Sequence, residues 1–491
     1  MPHSSNPETK DAAGPSRRTV LAGGAGFAAA IAGLSLLARQ AHAAPQPRPH
    51  VVYILADDLG FADVGFRGSD IHTPHLDRLA AEGATLSQLY TQPLCTPTRA
   101  ALMTGRYPLR YGLQTGVIPS GGDYGLATDE YLLPQALQQA GYKTALVGKW
   151  HLGHADRKYW PRQRGFDFFY GPLVGEIDHF KHEAHGVTDW YRDNDLLVED
   201  GYDTELFGAE AVRRIGTHDP STPLFLYLAF TAPHTPYQAP QRYLDLYPRI
   251  EDPSRRAYAA MITAMDEQIG KVIEALEARG MREDTLLIFH SDNGGTRSRM
   301  FVGEGAVSGE LPPSNAPLRD GKGTLYEGGT RVVGLANWPK RIPAGQVDAV
   351  IHVVDMLPTL GALAGADLSR SKALDGNNVL PALLEGQDGR TGLVYNIEPT
   401  QGAVRRGSWK LIWHAVLPPK IELFDLAADP GETRDVSAAH PELVAELQTE
   451  VVKLAQSMAP PLFYGTALKA TLSAPLATPS AALYDLGSQD D

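Results

Sequence analysis

His50-Val-Val-Tyr-Ile-Leu-Ala-Asp-Asp58 is an apolar run that stops abruptly on two carboxylates. Its large apolar residues follow one another without polar alternation, which predicts a strand buried on both faces, as in a parallel sheet. Three further runs repeat the pattern. Thr144-Ala-Leu-Val147 leads into Lys149 and His151, Leu224-Phe-Leu-Tyr-Leu-Ala-Phe230 into His234, and Thr285-Leu-Leu-Ile-Phe-His290 into Asp292 and Asn293. Ligands of open α/β sheets sit beyond the carboxyl ends of the strands, so four strands ending in acids, amides and bases predict one shared cleft.

Helical signals lie between the strands, over residues 75–83, 131–140 and 254–280. In the last, Met261, Met265, Ile269, Val272 and Leu276 recur at helical spacing and predict a core-facing stripe. A helix over 355–365 closes this part, and the texture then changes. Shorter strands at 408–413 and 421–424 and an amphipathic helix from 441 to about 458 predict a small α+β domain. From Ala459 the chain is rich in Ala, Pro and Ser, which predicts an extended tail. The expected division is a signal peptide over 1–43, a catalytic domain over 44–375, a small α+β domain over 376–465 and an extended tail over 466–491.

The chain has 491 residues, 43% of them hydrophobic, enough for one large α/β domain and a smaller one. A formal charge of −13 argues against nucleic acid or another polyanion bound over a broad surface, since such binding is driven by Lys and Arg. Any anion must meet a local positive pocket. At the amino end, Ser16-Arg-Arg-Thr-Val-Leu21 precedes an apolar stretch, and Ala41-His-Ala43 supplies a cleavage site. The segment resembles a twin-arginine signal. Val20 and Ala22 depart from the Phe and Lys common in that motif, so an ordinary secretory signal is the alternative. Four glycines interrupt the apolar stretch, which argues against a stable membrane anchor.

One cysteine stands in the whole chain, at Cys95-Thr-Pro-Thr-Arg99. An exported protein that keeps a single thiol has given up disulfides, so its chemistry comes to the fore. A lone Cys is otherwise a small buried hydrophobe. With Pro and Arg each near a twentieth of residues, both fall at +2 and +4 by chance about once in four hundred.

Cys95 through Gly105 meets the pattern C-x-P-S/T-R-x-x-x-L/M-T-G, and a second signature is met by Gly141-Tyr-Lys-Thr-Ala-Leu-Val-Gly-Lys-Trp-His151. On these motifs the chain resembles the type I sulfatases, whose cysteine at this place is oxidised to formylglycine (3-oxoalanine). ADDLG, TAPHTPYQAP, SDNGG and PLRDGKGTLYEGGTR extend the likeness through most of the chain. GFRGSDIHTPHLDRLA, AVRRGSWKLI and ELFDLAADPGETRDV place it nearest the arylsulfatase B (N-acetylgalactosamine-4-sulfatase) branch.

The resemblance implies an alkaline-phosphatase-like α/β fold, a large mixed sheet flanked by helices, with a smaller C-terminal α+β domain. It assigns Asp57, Asp58, Asp292, Asn293 and the modified Cys95 to a Ca2+ site, with Mg2+ as the alternative. Asp57, Asp58, Asp292 and Asn293 are an all-oxygen set suited to a hard cation; as isolated pairs they would be turn or cap residues. A soft thiolate suits such a site poorly, which is a physical reason for Cys95 to act in oxidised form. The aldehyde hydrate offers two oxygens on one carbon, one to attack sulfur and one to expel sulfate.

By the same resemblance Arg99 steadies the hydrate, Lys149 binds anionic oxygen, His151 takes a proton, and His234 and Lys322 grip the sulfate. Either of the last two would protonate the leaving group, and Asp292 would help to draw the proton from the attacking hydroxyl. The loop Arg157-Lys-Tyr-Trp-Pro-Arg-Gln-Arg164 suits an acidic sugar or is a solvated loop.

The implied partners are a sulfated carbohydrate or aryl sulfate, a formylglycine-generating maturation enzyme and the export machinery. A phosphonate or phosphate monoester hydrolase on the same scaffold is one alternative, and a sulfated-glycan-binding protein without turnover is another. The expected location is periplasmic or secreted. Replacing Arg17 and Arg18 with Lys is expected to hold the protein in the cytoplasm, as cell fractionation would read; undiminished export would assign the ordinary secretory route.

Overall fold

Each of the four apolar runs forms a strand, and in this computed structural model the four lie side by side. They are β1 (His50–Ala56), β2 (Lys143–Gly148), β3 (Leu224–Ala229) and β4 (Thr285–Ser291), parallel, in the order β4-β1-β3-β2. The structure describes residues 48–303, 307, 309–415 and 418–473; the expected signal peptide lies outside them. β5 (Gly334–Asn337) pairs antiparallel with β4, so the ten-stranded sheet that holds them is mixed.

Their register is unbroken. His50 pairs with Thr285 and Ala56 with Ser291, while Leu55 pairs with Ala229 and Ala229 with Gly148. The four carboxyl ends are therefore level. Backbone bonds tie together the residues just beyond them: Asp57 N–H to Ala232 O at 3.0 Å, Asp292 N–H to Ala56 O at 3.0 Å, and Lys149 N–H to Ala229 O at 2.8 Å.

Both faces of the sheet are covered, which is why the strands are apolar throughout. On one face Val52, Ile54, Leu226, Leu228, Leu287 and Phe289 pack against the Met261, Met265 and Ile269 stripe of α3 (Pro253–Ala278), with α2 (Asp203–Thr217) beside it. On the other face Val51, Tyr53, Leu55, Phe225 and Tyr227 meet α1 (Cys95–Thr104) and α4 (Met356–Ala364). All ten residues of α1 are buried, and Gly105 ends it in the left-handed conformation, its N–H bonding Ala101 O at 3.0 Å. The sequence predicts α1 from Thr98, but it begins at Cys95. Pro97 is tolerated there because first-turn N–H groups have no helical partner.

A separate antiparallel sheet follows, β6 (Gly392–Ile397), β7 (Gln401–Arg406), β8 (Trp409–His414) and β9 (Lys420–Asp425), with α5 (Pro441–Gln456) packed on it. Ile397, Val404, Leu411, Leu423, Leu447 and Val451 join the core cluster that holds α1. Beneath it Lys410 is fully buried, 3.0 Å from Glu327 and 2.8 Å from Glu432, while Tyr395 donates to Glu327 at 2.9 Å. That ion pair anchors the segment carrying Lys322. Where the sequence predicts an extended tail, residues 462–473 instead form α6 (Leu462–Ser473). Its approach is tied down by Ala459 N–H to Leu109 O at 2.8 Å and Leu462 N–H to Gly112 O at 3.0 Å. Tertiary contact has overridden a composition that favours no element.

Candidate active site

The level strand ends bring their polar residues into one buried cluster. Cys95, at the first position of α1, points its Sγ at Asp57 Oδ1, 3.4 Å away, and at Asn293 Oδ1, 3.5 Å away. Asn293 turns its amide to Asp58 Oδ1 at 2.7 Å, and Asp292 Oδ1 accepts from the Asp58 N–H at 3.3 Å. Three carboxylates thus lie together, all but removed from solvent.

Three cations face them. Arg99 directs Nε and a terminal nitrogen to Asp292 Oδ2 at 3.2 and 2.8 Å, and its other terminal nitrogen to the Lys149 carbonyl at 3.1 Å. Lys149 Nζ reaches Asp57 Oδ2 at 2.5 Å, and Lys322 Nζ reaches Asp58 Oδ2 at 2.7 Å. Burial alone would raise the Asp58 carboxyl, but Lys322 and His234 hold it well below the usual range. Asp292 is pushed up to about 6 by burial and by Asp57, against the pull of Arg99. Burial pushes the Cys95 thiol well up, reinforced by Asp292, so the unmodified sulfur stays protonated.

The two histidines have opposite tautomers. His234 Nδ1 lies 2.7 Å from the Thr235 carbonyl, so that nitrogen donates and Nε2 is an acceptor, 3.2 Å from Lys322 Nζ. His151 Nε2 lies 3.1 Å from the Ile118 carbonyl and carries the proton, leaving the buried Nδ1 without a hydrogen-bond partner. Burial, with Lys322, lowers His234 to about 4; burial, with Lys149 and Arg99, depresses His151 well below its ordinary value. Gly175 lies flush on the His151 ring, where any Cβ would stand 2.2 Å from it.

All ten residues singled out in the sequence therefore gather in one place: nine in a contact network, and His151 in the wall of the adjoining cleft, a cavity of about 440 Å³. Several supporting residues escape sequence reasoning because each is a single side chain without a pattern. Thr296 donates to Asp58 at 3.0 Å, Thr96 donates to the His151 carbonyl at 3.1 Å, and Asp203 holds His179, whose Nε2 lies 3.1 Å from the His234 carbonyl.

The loop from Arg157 to Arg164 does not line the cleft. Arg164 is buried on the carbonyls of Leu126 and Ala127, Arg162 pairs with Asp193, and Lys158 pairs with Asp156. Its charges serve the local fold.

The donor set fits a divalent cation. Among the described residues Asp57, Asp58, Cys95 and His234 place potential ligand atoms within 4.8 Å of one another. Asn293 Oδ1 opens on the same point beside Cys95, whereas Asp292 stands next to it with Oδ2 held by Arg99. Carboxylate and amide oxygens suit a hard ion such as Ca2+ or Mg2+.

Comparison with known proteins agrees with this geometry. Residues 49–366 match the sulfatase family. Arylsulfatase J of Mus musculus is 36% identical over 465 residues, covering 83% of this chain and 76% of that protein. N-acetylgalactosamine-6-sulfatase of Mus musculus is 34% identical over 400 residues, covering 77% of this chain and 74% of that protein. The crystal structure of Ps i-CgsB in complex with k-i-k-neocarrahexaose superposes with a TM-score of 0.77 at 33% identity, covering 87% of this chain and 98% of that one.

The metal fit has a direct thermal consequence. Returning Ca2+ to stripped protein at about a hundred times its dissociation constant is expected to add about 2.7 kcal/mol of stability, seen as an upward shift in calorimetric midpoint. Asp58→Ala should shrink that shift. A midpoint indifferent to both Ca2+ and Mg2+ would contradict the site.

Proposed function

The chain belongs to the sulfatase family and is a sulfuric ester hydrolase, and on that premise we propose that it cleaves sulfate monoesters of sugar or aryl alcohols with formylglycine made from Cys95. The observation that carries this reading is the placement of Cys95 Sγ at the start of a buried helix, within 3.5 Å of both Asp57 and Asn293 oxygens. A protonated, buried thiol is a poor nucleophile there, whereas an oxygen at the same position matches its neighbours. Formylglycine hydrate would supply a nucleophilic oxygen and a second oxygen through which sulfate is released. A divalent cation, Ca2+ in preference to Mg2+, would be held by Asp57, Asp58, Asp292 and Asn293 with the modified Cys95, and would supply charge neutralisation.

The protein's own groups divide the remaining work. Lys149 and Lys322 bind the anionic oxygens of the ester, beside the amino end of α1, which favours negative charge. Arg99 fixes the orientation of Asp292, which draws the proton from the attacking hydroxyl. His151, with its proton fixed on Nε2 by Ile118 O, offers Nδ1 as the base for sulfate release. His234 turns an acceptor toward Lys322, so Lys322 Nζ carries the proton meant for the leaving oxygen and His234 aims it. Export of the mature chain belongs to the same reading, supported by the segment from Arg17 to Ala43, which lies outside the described residues.

A leaving-group series tests this division. Lys322→Ala should cut kcat/KM on a sugar sulfate about a hundredfold more than on nitrophenyl sulfate, whose oxygen departs as a stable anion. His234→Ala should reduce the two more evenly. The reverse pattern would make His234 the acid, and wild-type kcat/KM higher on phosphate or phosphonate monoesters than on any sulfate ester would overturn the substrate class.

A further inference from the structure

Beyond the sulfate-binding groups, the cleft wall has an apolar side, set beside Ser120, Glu176 and His185, that includes a side chain from the C-terminal helix. Val117 and Pro119 come from the loop after α1, Phe301 from the segment preceding Lys322, and Phe463 from α6. Phe463 is held in place. Its ring lies against Gly116, where a Cβ would stand 2.9 Å from it and where φ is +76°. The backbone leading into it is clamped, by Leu462 N–H to Gly112 O at 3.0 Å and by Gln114 Nε2 to Ala459 O at 2.9 Å. A glycine at 116 therefore makes room for an aromatic ring at the mouth of the site.

The wall lacks the clustered Arg and Lys side chains of a polyanion site. Among the described residues lining the cleft the one Lys or Arg is Lys322, already within 2.7 Å of Asp58, and the wall also carries Glu176. Nearby guanidinium groups are turned elsewhere: Arg299 bonds the Val307 and Gly309 carbonyls, and Arg297 pairs with Glu310. Apart from the imidazoles of His151, His185 and His234, the described lining offers no further basic side chain, so a second sulfate or a carboxylate held against its apolar residues would be desolvated without an Arg or a second Lys to meet it. The chain's net charge of −13 adds a long-range field of the same sign.

We propose that Phe463 is a specificity-determining residue: with Val117, Pro119 and Phe301 it forms a platform for the alcohol half of the ester, selecting alcohols that present an apolar face and carry no second anion beside the sulfate. An aryl ring and the face of a neutral sugar share that chemistry. This rests on the sulfatase reading and narrows it to one substrate class.

The test compares three esters on wild-type enzyme and on Phe463→Ala: naphthyl sulfate, a monosulfated neutral sugar, and the same sugar carrying a neighbouring carboxylate. Wild-type kcat/KM is expected to be at least about tenfold higher on the monosulfated sugar than on its carboxylated counterpart, and Phe463→Ala to lower it about tenfold, chiefly through KM, on esters that use the platform. Loss on naphthyl sulfate alone assigns the platform to aryl alcohols, loss on the neutral sugar alone assigns it to sugar faces, and loss on both assigns it to both. Phe463→Leu, which keeps bulk in the wall and removes the ring, guards against misfolding and should lose part of the same preference, while Phe463→Trp should retain it. Wild-type preference for the carboxylated sugar, or variants whose selectivity among the three esters equals wild type, would overturn the proposal. Absence of turnover on every sulfate ester would instead strike at the sulfatase reading itself.

Discussion

Three carboxylates, Asp57, Asp58 and Asp292, are buried together at the ends of adjacent strands, and the surrounding structure is organised by the need to keep them charged and apart. Removing one partner from a buried ion pair costs about 3–5 kcal/mol, because a charge is left without water or counter-charge. Each acid is accordingly matched: Asp292 by Arg99, Asp57 by Lys149 and Asp58 by Lys322. The cations come from three separate segments. Satisfying the acids therefore draws α1, the end of β2 and the segment after β4 into one closed arrangement, and those segments also deliver Cys95 and His151. Fold and site share one electrostatic requirement.

The same requirement extends to the small C-terminal sheet. Lys410 on β8 is fully buried between Glu327 and Glu432, and Glu327 lies a few residues beyond Lys322 in the same segment. The sheet thus braces the segment that carries Lys322, and α6 carries Phe463 back to the mouth of the cleft. The C-terminal part of the chain shapes the site at both its cationic and its apolar ends.

Much of this was legible in the sequence for a physical reason. A strand buried on both faces cannot carry polar residues, so an apolar run that ends on Asp57-Asp58 or Asp292-Asn293 marks both the strand and the cleft at its end. The cluster around Cys95 was legible through the family resemblance that the Cys95–Gly105 and Gly141–His151 motifs carry, since its members lie on separate segments that spacing alone does not join. α1 starts three residues before the predicted Thr98, because its first-turn N–H groups need no helical partner and Pro97 is accommodated among them. α6 differs from the expected extended tail because its sequence gives no strong periodic signal and its placement depends on contacts with Leu109, Gly112 and Gln114, distant in sequence. The Arg157 to Arg164 loop left two readings open, because sequence cannot tell a guanidinium facing substrate from one buried on backbone carbonyls.

The central claim is that an oxygen nucleophile derived from Cys95 works within this ring of carboxylates and cations. Peptide mass spectrometry of fully active enzyme tests it most directly, read with the activity of a folded Cys95→Ala variant. The account predicts that the Cys95 peptide carries an aldehyde and that the alanine variant, unfolding near the wild-type temperature, releases no sulfate. A fully active preparation containing only the unmodified thiol, or sulfate release by Cys95→Ala, would contradict it.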